Sequence, residues 1–332
     1  MGKRISQIGN IRSFAIFLVV LGHSIILYSS GWDLYETTVS VPFLDLLKRI
    51  VDIPQMLLFF SLSGYLFVFT HSKKRGVAAL IKNKALRLLV PYVGIGVCFL
   101  LPLRVAVGFP SYREMGTAEF AMKLLMASDV GHLWFLPALF LVFLLSKIIL
   151  SVAEKLPGVR KYPEVFLCAV GGALYLEGYR IGFGYPPLLS AFNYLLWFGF
   201  GYFLNVHQET VRKVYRNTWV KRALLVLNLG LLVYCLTAGS VRVLVSLGMR
   251  ALCVLNAYGA MPEKSCKLLE KIDRNSFGIY LFHSPLIYIT FANIPNAHPA
   301  IVIFINLVVF GAVAYGLTEL IRRTKLKVLI GE

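Results

Sequence analysis

The chain has 332 residues, 58% of them hydrophobic and 15% charged, with a mean hydropathy of +0.73 and a formal net charge of +18. So apolar a composition excludes an ordinary soluble domain. The apolar residues run on without strand-like alternation, which excludes an outer-membrane barrel. The surplus Lys and Arg fall in short clusters between those runs, the distribution of membrane topology rather than of nucleic-acid binding.

A bilayer core about 30 Å thick needs roughly 20 mostly apolar residues per helical span. The residues predict ten spans, at 12–30, 53–70, 88–108, 131–150, 164–179, 187–206, 222–239, 241–260, 276–293 and 300–320. The first is read as an uncleaved helix, because no small-residue cleavage site closes it and His23 interrupts it. Of the 34 Lys and Arg, 26 fall on the side that holds Lys3, Arg4 and Arg12, seven on the other, and Arg250 lies within the eighth span. Positive charge beside short loops stays cytoplasmic. The expectation is therefore an all-α integral membrane protein, a bundle of about ten transmembrane helices over residues 1–332 with both termini cytoplasmic. The five cysteines are scattered singly, without metal-type spacing, and read as small apolar fillers; no metal is expected.

Polar residues inside apolar spans are costly and mark function. Arg12 and His23 are eleven residues apart on the first helix, which returns to within about 20° of one face and rises about 16 Å. One sits near the cytoplasmic surface and the other near mid-membrane, an arrangement suited to a long ligand with an anionic head. Phe59 to Phe67 in the second span carries Ser61, Ser63 and Gly64; Gly64 reads as a close-packing position, and the small residues leave room for a ligand chain. From Lys73 to Arg87 six cations crowd fifteen residues beside that mouth, a membrane anchor that is also able to hold phosphates. His132 and Trp134 open the fourth span at the outer interface. Tyr280 and His283 lie in the ninth, where a second intramembrane histidine appears.

Together these stretches resemble one family, the multi-spanning membrane acyltransferases known as acyltransferase family three, which O-acylate sugars of surface glycans. The matching elements are Arg12-x10-His23, Phe59-Phe60-x-x-Ser63-Gly64-Tyr65-Leu66, Lys84-x-x-Arg87-x-x-x-Pro91-Tyr92, His132-Leu133-Trp134-Phe135-Leu136 and Ser276-x-x-x-Tyr280-Leu281-x-His283. Two places depart from the pattern. The family usually has Asp three residues before the signature Arg, where this chain has Gly9, and its basic pair is usually Arg-Arg, where this chain has Lys84 and Arg87.

The resemblance implies an acyl-CoA donor, usually acetyl-CoA, entering from the cytoplasm. Its phosphates would rest on Lys82, Lys84 and Arg87, with Arg12 at the mouth, and Ser63 and Tyr92 would line the donor site. His23 would be the general base. The acceptor, an extracytoplasmic or lipid-linked surface glycan, would meet His132, Trp134, Tyr280 and His283. Membrane lipids are the other expected partner and nucleic acid is not one. The expected location is the bacterial inner membrane. The alternative is a glycan or lipid transporter or flippase, which would move its substrate without acyl transfer.

Overall fold

The computed structural model describes residues 6–32, 35–71, 76–112, 115–181 and 184–332. Lys3, Arg4, Lys73, Lys74, Arg75 and Arg113, counted above as topology charges, lie outside the described residues. Within them the regular structure is helical. It comprises α1 (Ser6–Ser24), α2 (Pro42–His71), α3 (Val77–Ala106), α4 (Thr117–Met126), α5 (Gly131–Ala153), α6 (Pro163–Glu177), α7 (Pro186–Val206), α8 (Gln208–Arg216), α9 (Thr218–Thr237), α10 (Val243–Ala260), α11 (Lys267–Asn293) and α12 (Pro299–Arg322), closed by a short 3-10 stretch, Lys325–Ile330.

Each of the ten predicted spans overlaps one of these helices, the first, 12–30, running six residues past the end of α1. Seven of the helices, α2, α3, α5, α7, α9, α10 and α12, are long and apolar enough to cross a membrane. The other three differ for stated reasons. α6 has only 15 residues. α1 and α11 are long enough, but both carry buried polar side chains: Asn10 and Ser13 on α1, Asp273, Asn275 and His283 on α11. α2 starts eleven residues before the predicted boundary, so Lys48 and Asp52 belong to the helix.

Local chemistry explains the ends and bends. Asn217 caps α9 by accepting from the amides of Trp219 and Val220 at 3.0 and 3.3 Å. α3 widens into π turns at Ala85–Leu89 and Gly96–Leu100, each just before a proline, Pro91 and Pro102. Proline offers no N–H and crowds the carbonyl four residues back, a misfit that one wider turn absorbs.

α2 and α7 form the tightest crossing. A Cβ added at Gly64 would fall on the Phe198 carbonyl, and one at Gly201 on the Ser61 carbonyl, so backbone meets backbone from both sides. Phe60, Phe67, Trp197 and Phe198 fill the surrounding core. α9, by contrast, buries no residue and lies at the edge.

α1 and α11 run parallel and in register. Arg12 meets Asp273 and, eleven residues on along α1 and ten along α11, His23 meets His283. The start of α1 is tied down by its other polar residues. Gln7 donates to the carbonyls of Tyr258 and Met261, Asn10 to those of Pro262 and Lys264, and Ser13 to that of Leu269. Those bonds leave Arg12 to face the bundle interior.

Candidate active site

Arg12 Nη1 donates to Asp273 Oδ1 at 2.7 Å; the Asp273 side chain is 2% exposed and that of Arg12 27%. The carboxylate fits there because residue 9 has no side chain: a Cβ on Gly9 would lie 2.8 Å from Asp273 Oδ2. A buried carboxylate needs a partner, and Arg12 supplies it while keeping one side open. The missing acid of the first helix is thus supplied by α11.

The open side of Arg12 faces two adjoining cavities of about 440 and 420 Å³ that share Arg12, Ser63, Leu88, Leu139 and Phe277. The outer one also touches Lys84 and Arg87. The inner one ends on Phe59, Phe135 and Tyr280. Lys84 places its ammonium 3.4 Å from the centre of the Phe143 ring, a cation–π contact that aims it at the chamber. Three cations at the rim and apolar walls beyond suit a ligand with phosphates at one end and a thin chain at the other.

One ring beyond the chamber floor lie three histidines. The Tyr280 ring is 5.2 Å from that of His132 and 6.3 Å from that of His283, and its hydroxyl donates to the His132 carbonyl. His283 Nδ1 lies 2.9 Å from the carbonyl oxygens of both Ile279 and Tyr280. Carbonyls only accept, so the hydrogen-bond network assigns the proton to Nδ1 and leaves Nε2 of the neutral ring an acceptor. That Nε2 is 2.8 Å from His23 Nδ1, which must therefore donate. The remaining lone pair of His23 is on Nε2. His23 is half-buried as a residue, whereas its partner His283 is fully buried; a base must reach a ligand proton.

His132 is assigned in the same way. Its Nε2 lies 3.1 Å from the Leu281 carbonyl and donates to it, which leaves a lone pair on Nδ1, buried and without a hydrogen-bond partner among the described residues. The turn before it is held by Arg104, 1% exposed, which donates to the Asp129 carbonyl at 2.6 Å and to the Tyr288 hydroxyl at 3.0 Å. Ala127, Asp129 and Gly131 in that turn all have positive φ. On the far side of His23, towards the end of α1, α2 presents Lys48, Asp52 and Gln55: Lys48 pairs with Asp52, which also accepts from Gln55 at 2.6 Å.

The predicted residues are thus gathered unequally. Arg12, Ser63, Lys84 and Arg87 share the chamber, Tyr280 forms its floor, and His23, His132 and His283 cluster behind it. Lys82 is exposed on α3. The Tyr92 hydroxyl donates to the Leu124 carbonyl at 2.5 Å, an anchor between α3 and α4. Trp134 turns towards Tyr194, with ring centres 5.6 Å apart. Asp273, Arg104, Lys48, Asp52 and Gln55 were missed. Of these, Asp273 lies closest to a matched motif, three residues before Ser276.

A family model described as an acyltransferase domain matches residues 5–318, nearly the whole chain. Neither the comparison with curated proteins nor that with solved structures found a match. The helices that suit a membrane, the site built between α1 and α11 and the span of the family match agree: this chain is a multi-pass membrane protein that belongs to acyltransferase family 3.

Proposed function

We propose that the protein transfers an acyl group, most simply acetyl, from cytoplasmic acyl-CoA to a hydroxyl of an extracytoplasmic or lipid-linked surface glycan, with His23 as general base. The observation that carries this reading is the tautomer chain from the Ile279 and Tyr280 carbonyls through His283 to His23, which leaves Nε2 of His23 a base. The acceptor O–H gives its proton to that nitrogen as its oxygen bonds to the thioester carbonyl carbon. The C–S bond then breaks, and the sulfur leaves as the thiol with the proton returned from His23. Arg12, Lys84 and Arg87 bind the nucleotide phosphates, and the apolar chamber takes the pantetheine arm. Ten spans with both termini cytoplasmic, in a bacterial inner membrane, fit this scheme. Parallel α1 and α11 need an odd number of spans between them, and α2, α3, α5, α6, α7, α9 and α10 make seven.

Mass spectrometry of surface glycans from cells with and without the protein tests the reading. A difference of one acyl group per repeat is expected. Identical glycans, with substrate moved unmodified by the purified protein, would instead mark a transporter.

A further inference from the structure

Arg250 sits on α10, seven residues past Val243 at the helix start, about 10 Å along the axis. Among the described residues its Nε is buried without a hydrogen-bond partner and no ion pair includes it. Asp52, an acid of the same half of the bundle, is already matched by Lys48 and Gln55. A guanidinium inside an apolar helix without an anion is costly.

Arg250 lines a groove of about 400 Å³ with Tyr175, Asn193, Tyr194, Trp197 and Val243. Asn193 and Val243 are exposed, so the groove opens on the lateral surface of the bundle, where α6 and α10 flank α7. Its place along the bundle is fixed by the other end of α10. Gln7, near Arg12, bonds the carbonyls of Tyr258 and Met261 there, so Val243 and the groove lie towards the end opposite the cationic mouth. A soluble nucleotide entering by that mouth does not reach it.

We propose that this groove binds the phosphate of a membrane lipid, with Arg250 as its cation and the tyrosine and asparagine side chains as polar neighbours. Guanidinium matches phosphate in a bidentate fork, and the lateral opening lets the apolar chain stay in the membrane. Two sources carry this chemistry, a bulk phospholipid headgroup and a polyprenyl phosphate. The groove also adjoins the histidine side of the bundle: the Tyr194 ring stacks on Phe60 at 4.3 Å and faces Trp134, two residues from His132. A polyprenyl-linked acceptor held here would sit beside the transfer site, a consequence that rests on the transferase reading; phosphate binding itself does not.

The test is native mass spectrometry of the full chain in an uncharged, phosphate-free detergent. The probes are farnesyl phosphate and dioleoylphosphatidylglycerol, with farnesol and dioleoylglycerol as their phosphate-free counterparts. Wild type should bind the phosphate probes in preference to their counterparts. Arg250→Ala should weaken the phosphate probes about tenfold, and Arg250→Lys should restore part of the loss. Tighter binding of farnesyl phosphate identifies the polyprenyl source and tighter binding of phosphatidylglycerol the bulk lipid; either sustains the proposal. Equal binding by wild type and Arg250→Ala overturns it. So does farnesol binding as well as farnesyl phosphate to wild type, a comparison that needs no variant to fold. Acyl transfer is not the readout, so failure here leaves the transferase reading standing.

Discussion

Gly9 of α1 and Asp273 of α11 share one gap: the place a Cβ would take at residue 9 lies 2.8 Å from the Asp273 carboxylate. The acid that holds Arg12 thus comes from a helix 261 residues away in sequence. Gly9→Ala should push that carboxylate off Arg12, and Asp273→Asn should remove its charge. Both should raise the KM for acyl-CoA about tenfold, the scale of one charge-assisted hydrogen bond, and change kcat less. The exchange Gly9→Asp with Asp273→Gly puts an acid at i,i+3 to Arg12 and should recover part of the loss. Steady-state kinetics over a range of donor concentrations decide it, and an unchanged KM in Asp273→Asn contradicts the assignment.

His283 acts on His23 by fixing which nitrogen bears the proton. Replacement by Phe removes the acceptor of the His23 Nδ1 proton and frees the ring to turn or change tautomer. The expected loss is about a hundredfold in kcat, within the range for general-base catalysis, with donor KM nearly constant. Equal loss in KM and none in kcat would mean that His283 only shapes the pocket.

On the proposed reading the rim cations bind a multiply charged ligand, so their effects should depend on salt. Lys84→Gln and Arg87→Gln should each raise donor KM by about tenfold at low ionic strength, with the difference from wild type shrinking as salt rises. Lys82→Gln, on an exposed position outside the chamber rim, should change KM least. A Lys82 effect as large as that of Lys84 would relocate the phosphate site.

The Gly64–Gly201 crossing makes a stability prediction. A Val at either position must displace a backbone carbonyl of the facing helix, and overpacking of this kind costs about 1–3 kcal/mol or more. Both variants should lower the temperature at which the purified protein loses its monodisperse chromatographic peak. Gly76→Ala, in open space, is the control and should match wild type.

How much of this was legible beforehand follows from what each feature needs. Apolar runs announce themselves, so the ten helical stretches were found. Arg12 and His23 were paired because they share one helix period. The chamber's Ser63, Lys84 and Arg87 came from local motifs, whose spacing a single helix carries. The contacts made between helices did not show: Asp273 with Arg12, and His283 with His23, depend on α1 and α11 packing in parallel register, which no local spacing encodes. Lys48 and Asp52 fall before the predicted start of the second span at 53, and their mutual pairing lets both stay on α2. Tyr92 was placed with the donor by its motif, whereas its hydroxyl is engaged by Leu124. Arg250 is the cation that the topology count assigns to neither side, without a hint of the groove it lines.

The central claim is that Nε2 of His23 accepts the proton of the attacking hydroxyl, and its most direct test is acyl transfer by purified protein carrying His23→Ala. No acylated acceptor above background is expected, with the variant as folded and as abundant in the membrane as wild type. Wild-type transfer by that variant would contradict it.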